Sequence, residues 1–123
     1  YGADSVAASA GRWKSYTPAQ REQIMAEGKR IYLDLVEAMP TGVESAATQA
    51  ILARWHQHIR NFYEPSFEVL AGLGTIYEHD PEFHATFAAF HPELPGFFSK
   101  AVAVYVDALE TAWLERELNV LEE

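Results

Sequence analysis

No cysteine occurs among the 123 residues, which removes disulfides, thiolate zinc sites, iron–sulfur clusters and cysteine nucleophiles together. Basic side chains are scarce as well. Nine Lys and Arg stand against 18 Asp and Glu, a formal charge of −9. Nucleic-acid binding depends on Lys and Arg displacing counterions, and anionic membranes attract the same cations, so direct contact with either is not expected of this stretch. No apolar run has the length of a membrane span, and the N-terminus lacks the basic start and apolar stretch of a signal peptide. With cysteine missing too, a cytoplasmic location is expected. Sustained two-residue alternation and Asn-Gly or Asp-Gly turns are absent, so no strand is predicted. There is no G-x-S-x-G, no Gly-rich phosphate loop and no H-E-x-x-H. No enzyme is expected.

What is present reads as helix. The apolar share of 49% supports one core, and the length fits a single domain over residues 1–123. The chain opens at Tyr1 rather than Met, which suggests a piece of a longer protein. Ser5 to Ser15 is Ala-rich, interrupted by Gly11, and predicts a weakly amphipathic first helix. Thr17-Pro18-Ala19-Gln20 is a capping box with proline at the first helical position. Ile24, Gly28, Ile31, Tyr32, Leu35 and Met39 follow at helical spacing until Pro40-Thr41-Gly42.

A third helix is expected from about Ser45 to Phe62, with Ile51, Trp55, His58, Ile59 and Phe62 in one stripe. Pro65 ends it by disfavouring helical geometry at Glu64. Ser66 caps a fourth helix, Phe67 to His79, which is apolar on two sides and therefore expected at the centre of the fold. Gly72 and Gly74 within it imply close approach of another helix or of a ligand. Asp80-Pro81 opens a short fifth helix carrying Phe83, Phe87 and Phe90. The last and longest runs from near Glu93 to near Leu121, with Leu94, Phe98, Ala101, Tyr105, Leu109 and Ala112 inward. The expected architecture is an all-α, compact bundle of five to six helices.

Five histidines could carry chemistry. His56 and His58 lie two apart on a helix, point to different faces and cannot share a metal. Capping explains the His79, Asp80, Glu82 and His84 cluster better than a metal does, so no metal and no cofactor is expected. His58 shares its stripe with Trp55 and Phe62. It is either a core histidine bonded to a backbone carbonyl or a polar contact in an aromatic pocket, with haem ligation a third option that nothing else in the sequence supports. Aromatic residues make up 13% of the chain. They serve either as core alone or as the lining of a pocket for a flat organic ligand.

Two runs carry a resemblance: Arg54-Trp55-His56-Gln57-His58-Ile59-Arg60-Asn61-Phe62-Tyr63-Glu64-Pro65, then Leu70-Ala71-Gly72-Leu73-Gly74-Thr75-Ile76-Tyr77. With His79-Asp80-Pro81-Glu82-Phe83, Phe90-His91-Pro92-Glu93-Leu94-Pro95-Gly96-Phe97 and Ser15-Tyr16-Thr17, the chain resembles the TipAS-type antibiotic-recognition domain. That resemblance implies a globin-like helical domain without haem, acting as the C-terminal effector half of a MerR-type transcriptional activator. It also implies a bulky aromatic or heterocyclic ligand, DNA contact only through a separate N-terminal domain, and dimerisation through a coiled coil of the full-length protein. Some members consist of the effector domain alone and sequester a toxic compound. Carried over, Trp55, His58, Phe62 and Tyr63 would line the groove. Tyr77, Phe83 and Phe87 would form its opposite wall, and Trp13 and Tyr16 would belong to a mobile lid over residues 1–16. Some relatives hold a cysteine in the stretch matching Tyr63 to Ser66. Pro65 and Ser66 stand there instead, which implies reversible binding.

Overall fold

The computed structural model describes residues 10–122, so residues 1–9 of the expected first helix and lid lie outside the described residues. The described part of α1 covers residues 10–15. It is followed by α2 (Pro18–Ala38), a 3-10 turn (Met39–Thr41), α3 (Ala46–Ile59), α4 (Phe67–His79), α5 (Pro81–Ala88) and α6 (Leu94–Glu122). No strand occurs among the described residues.

Local chemistry sets the helix starts. The Thr17 hydroxyl accepts from the Gln20 amide while the Gln20 side chain takes the Thr17 amide, satisfying two donors that helix geometry leaves free. Ser45 and Ser66 cap α3 and α4 in the simpler way, each accepting from the amide three residues on. Asp80 accepts from both Glu82 and Phe83 at the head of α5, and Pro81 follows at the first helical position. At Gly42 the backbone reaches φ 92°, a left-handed conformation that glycine adopts without strain.

Packing joins α2 to α3 and α4 to α6, with α3 also against α6. A Cβ on Gly74 would lie 3.1 Å from Val102, and one on Gly96 would lie 3.9 Å from Glu78. Those two registers make α4 and α6 antiparallel and show why Gly74 is small: α6 passes directly over it. On the surface Arg54 of α3 reaches Asp34 at 2.7 Å and Glu27 at 3.2 Å, tying α3 to α2.

The core takes Ile31 and Leu35 from α2, Leu52 and Trp55 from α3, Leu70 and Tyr77 from α4, Phe87 from α5, and Leu94, Phe98, Ala101, Val102 and Val106 from α6. Phe98 is its hub, with ring centroids of Trp55, Tyr77, Phe87 and Tyr32 at 5.5, 5.1, 5.4 and 5.9 Å. This corrects the expected placement of α4. Only Leu70, Gly74 and Tyr77 of α4 are buried, and its second apolar side, Val69, Leu73 and Ile76, is half-buried. The first half of α6 holds the centre instead.

Candidate functional site

After Ile59 the chain leaves α3 through turns in which the Phe62 and Tyr63 amides both donate to the Ile59 carbonyl. This brings Phe62 back over the last turn of the helix, onto the His58 ring at 5.6 Å and nearly edge-on. On its other side His58 rests against α2. A Cβ on Gly28 would meet His58 Nε2 at 3.0 Å, so only glycine leaves room for the imidazole there. Burial lowers the His58 pKa, with Glu27 pulling weakly the other way, and the ring is neutral at pH 7. Its Nδ1 is buried with no hydrogen-bond partner among the described residues. The sequence allowed for a His58 satisfied by a backbone carbonyl. The structure shows an orphan instead.

Trp13 lies on the outer face of Phe62, stacked at 5.5 Å with the planes 23° apart, and Tyr16 meets the Trp13 edge at 6.2 Å. Four hydrogen bonds hold this segment to the bundle. Arg12 donates to the Arg60 carbonyl at 2.8 Å and Tyr16 to the Asn61 carbonyl at 2.6 Å. Arg21 donates to the Trp13 and Lys14 carbonyls at 3.1 Å each, with its guanidinium 5.8 Å from the Trp13 ring centre. Beside the stack a depression of about 280 Å³ is lined by Tyr16, Gln20, Gln23, Ile24, Glu27 and Asn61.

The nine candidate residues therefore do not all meet in one place. Trp13, Tyr16, His58 and Phe62 meet at the junction of α1, α2 and the end of α3. Tyr63 is half-buried one residue further on, packed against the core. Trp55, Tyr77 and Phe87 lie inside, at 0%, 5% and 3% exposure, with Trp55 and Tyr77 in edge contact at 6.2 Å. Phe83 touches Tyr77 at 5.6 Å but is 44% exposed. Trp55 is one turn from His58 yet sealed in the core.

The sequence profile of the TipAS antibiotic-recognition domain matches residues 1–105. The chain belongs to the TipAS family. It is 36% identical over 96 residues to the HTH-type transcriptional regulator SkgA of Caulobacter vibrioides, a match covering 75% of this chain and 38% of that protein. It is 27% identical over 111 residues to the HTH-type transcriptional activator mta of Bacillus subtilis, covering 89% of this chain and 43% of that protein. The chain thus spans less than half the length of these relatives. No solved structure gives a significant match.

Within this TipAS domain several neighbours of the stack escaped sequence reasoning. Arg12, Arg21 and Asn61 act through backbone carbonyls, and Gln20, Gln23 and Glu27 only line the depression. Gly28 did leave a signal, a glycine inside the apolar stripe of α2, which marks a place that another element fills. His56 points the other way from His58, as their spacing requires. Its Nδ1 lies 2.8 Å from the Tyr105 hydroxyl on α6, and its Nε2 is buried without a partner among the described residues. Burial lowers the His56 pKa, Arg60 adds to that, and Glu64 opposes it. No group of three His, Asp or Glu side chains among the described residues is placed to hold a metal. No helix among them is long and apolar enough to cross a membrane.

Proposed function

We propose that this domain is the ligand-sensing effector half of a MerR-type transcriptional activator, reversibly binding a bulky aromatic or heterocyclic antibiotic or other drug-like compound. The observation that carries this is the Trp13–Phe62–His58 stack. It pairs a clamp of aromatic faces with an orphaned, neutral imidazole beneath it, at the seam between the N-terminal segment and the bundle.

In this scheme the segment carrying Trp13 and Tyr16 lifts, a flat ring of the ligand enters between Trp13 and Phe62, and the segment recloses. Ligand polar atoms meet the Tyr16 hydroxyl, the amides of Gln20, Gln23 and Asn61 and, where they reach inward, His58. With no cysteine in the chain, a thiol cannot trap the ligand. A ligand shifts the open–closed balance only by the difference in its affinity for the two forms. In the longer protein that balance is passed to an N-terminal DNA-binding domain through a coiled coil. The HTH-type regulators it resembles, matched over about two-fifths of their length, support this over the second reading, a stand-alone antibiotic-sequestering protein. A helix-turn-helix segment encoded just upstream of Tyr1 favours the first reading, and a start codon there the second.

The test is binding of a panel of aromatic antibiotics, followed by thermal shift and tryptophan fluorescence. Phe62→Ala is expected to weaken any compound that binds the wild type by at least about tenfold, roughly 1.4 kcal/mol, while the helical content stays unchanged. Equal affinity of variant and wild type refutes the placement.

A further inference from the structure

At the other end of the bundle lies an open groove of about 850 Å³, within the roughly 300–1,000 Å³ range of small-molecule sites. It runs between the end of α2 with the 3-10 turn and the start of α6, and the end of α4 closes one side. Twelve residues of α2 and its continuation separate Glu27, beside the aromatic stack, from Met39 in this groove. At ~1.5 Å per residue that is about 18 Å, too far for one ligand ring to reach both.

The floor of the groove is apolar: Val36, Met39, Val43 and Phe97 are only partly buried against the core and leave the rest of their surface open. The rim is polar, and its hydrogen bonds fix its polarity. His84 Nδ1 lies 2.9 Å from the Glu78 carbonyl. A carbonyl only accepts, so Nδ1 carries the hydrogen. His91 Nδ1 accepts from the Glu93 amide at 3.0 Å, which leaves its Nε2–H as a donor. The Glu78 carboxylate reaches within 3.9 Å of the place a side chain on Gly96 would fill, which sets it on the edge of the groove beside the start of α6. Neither Glu93 nor Lys100 forms an ion pair among the described residues, and the Glu78 carboxylate has one basic neighbour, His79 Nε2 at 3.7 Å. Two carboxylates thus face one ammonium and one imidazole donor, in a chain of net charge −9.

We infer that this groove is a second ligand site, taking an organic cation with a flat apolar body. The ring lies against Phe97 and Met39, where thioether and aromatic groups both favour it, and the protonated nitrogen faces the Glu78 and Glu93 carboxylates. The site is independent of the aromatic stack and does not require the function proposed above.

The experiment is an amide NMR titration of the domain with 9-aminoacridine at low ionic strength, because exposed carboxylates are screened by salt. Saturable shifts are expected at Gly42, Gly96 and Lys100. The Glu78→Gln, Glu93→Gln double variant should bind at least about tenfold more weakly, and anthracene-9-carboxylate should bind more weakly by a similar factor. Because both carboxylates are on the rim, circular dichroism of the double variant should match the wild type. Shifts centred on Trp13 and Phe62, unchanged affinity in the double variant, equal binding of the anion, or no saturable shift would each overturn the assignment.

Discussion

Trp55, inside α3, and Phe62, in the turn just past its end, share one stripe in the sequence and answer to different forces. Trp55 is fully buried, wedged between Tyr77 and Phe98, and its indole nitrogen has no hydrogen-bond partner among the described residues. Truncating it removes a large apolar surface and leaves a cavity, so Trp55→Ala is expected to cost about 3–5 kcal/mol of stability, measured by urea unfolding. Any loss of ligand affinity in that variant should track the unfolded fraction. Phe62 is half-buried between Trp13 and His58, so its truncation should move binding far more than the unfolding midpoint. The sequence placed both rings in one stripe but could not separate them. Helical spacing assigns a face, whereas depth depends on what the other helices bring. The contact of His58 with Gly28 joins positions 30 apart in sequence, and no local pattern contains it.

Among the elements, the helix starts were legible because each is written in three or four consecutive residues, as at Thr17, Ser66 and Asp80. The position of α4 was not. Two apolar sides read as a central helix, but α6 covers only one of them, and the other stays half-buried. The groove beside Phe97 was also invisible, since it is built from the ends of α2, α4 and α6 and the turns between them. The last part of α6 runs past its neighbours: Trp113, Leu114, Leu118 and Leu121 are 46%, 53%, 57% and 81% exposed. The family match stops at residue 105. Removing residues 113–123 is therefore expected to shift the melting temperature by no more than about 4 °C, the equivalent of ~1 kcal/mol. Calorimetry checks this, and a larger drop means that the helix end is tied to the bundle.

For the whole molecule, buried titratable groups set a pH window for stability. His56 and His58 have pKa values lowered by burial below 6.5. The unfolded chain binds protons first as pH falls, so their contribution is complete above about 6.5 and is lost below it. Tyr32 is pushed up by burial from 10.0 to about 12; its contribution is complete below pH 10 and is lost as pH climbs towards 12. The melting temperature should be level between about pH 7 and 9.5 and fall on both sides. His58→Asn should flatten the acid limb and Tyr32→Phe the alkaline one, and a profile unchanged in both variants would refute the assignment. The central claim, that a guest ring joins the stack at the N-terminal seam, is tested most directly by NMR of the domain titrated with aromatic antibiotics. The account predicts that the Trp13 indole and the Phe62 and His58 signals move first and saturate together. Binding that leaves those three signals in place, or a full panel from which nothing binds, would contradict it.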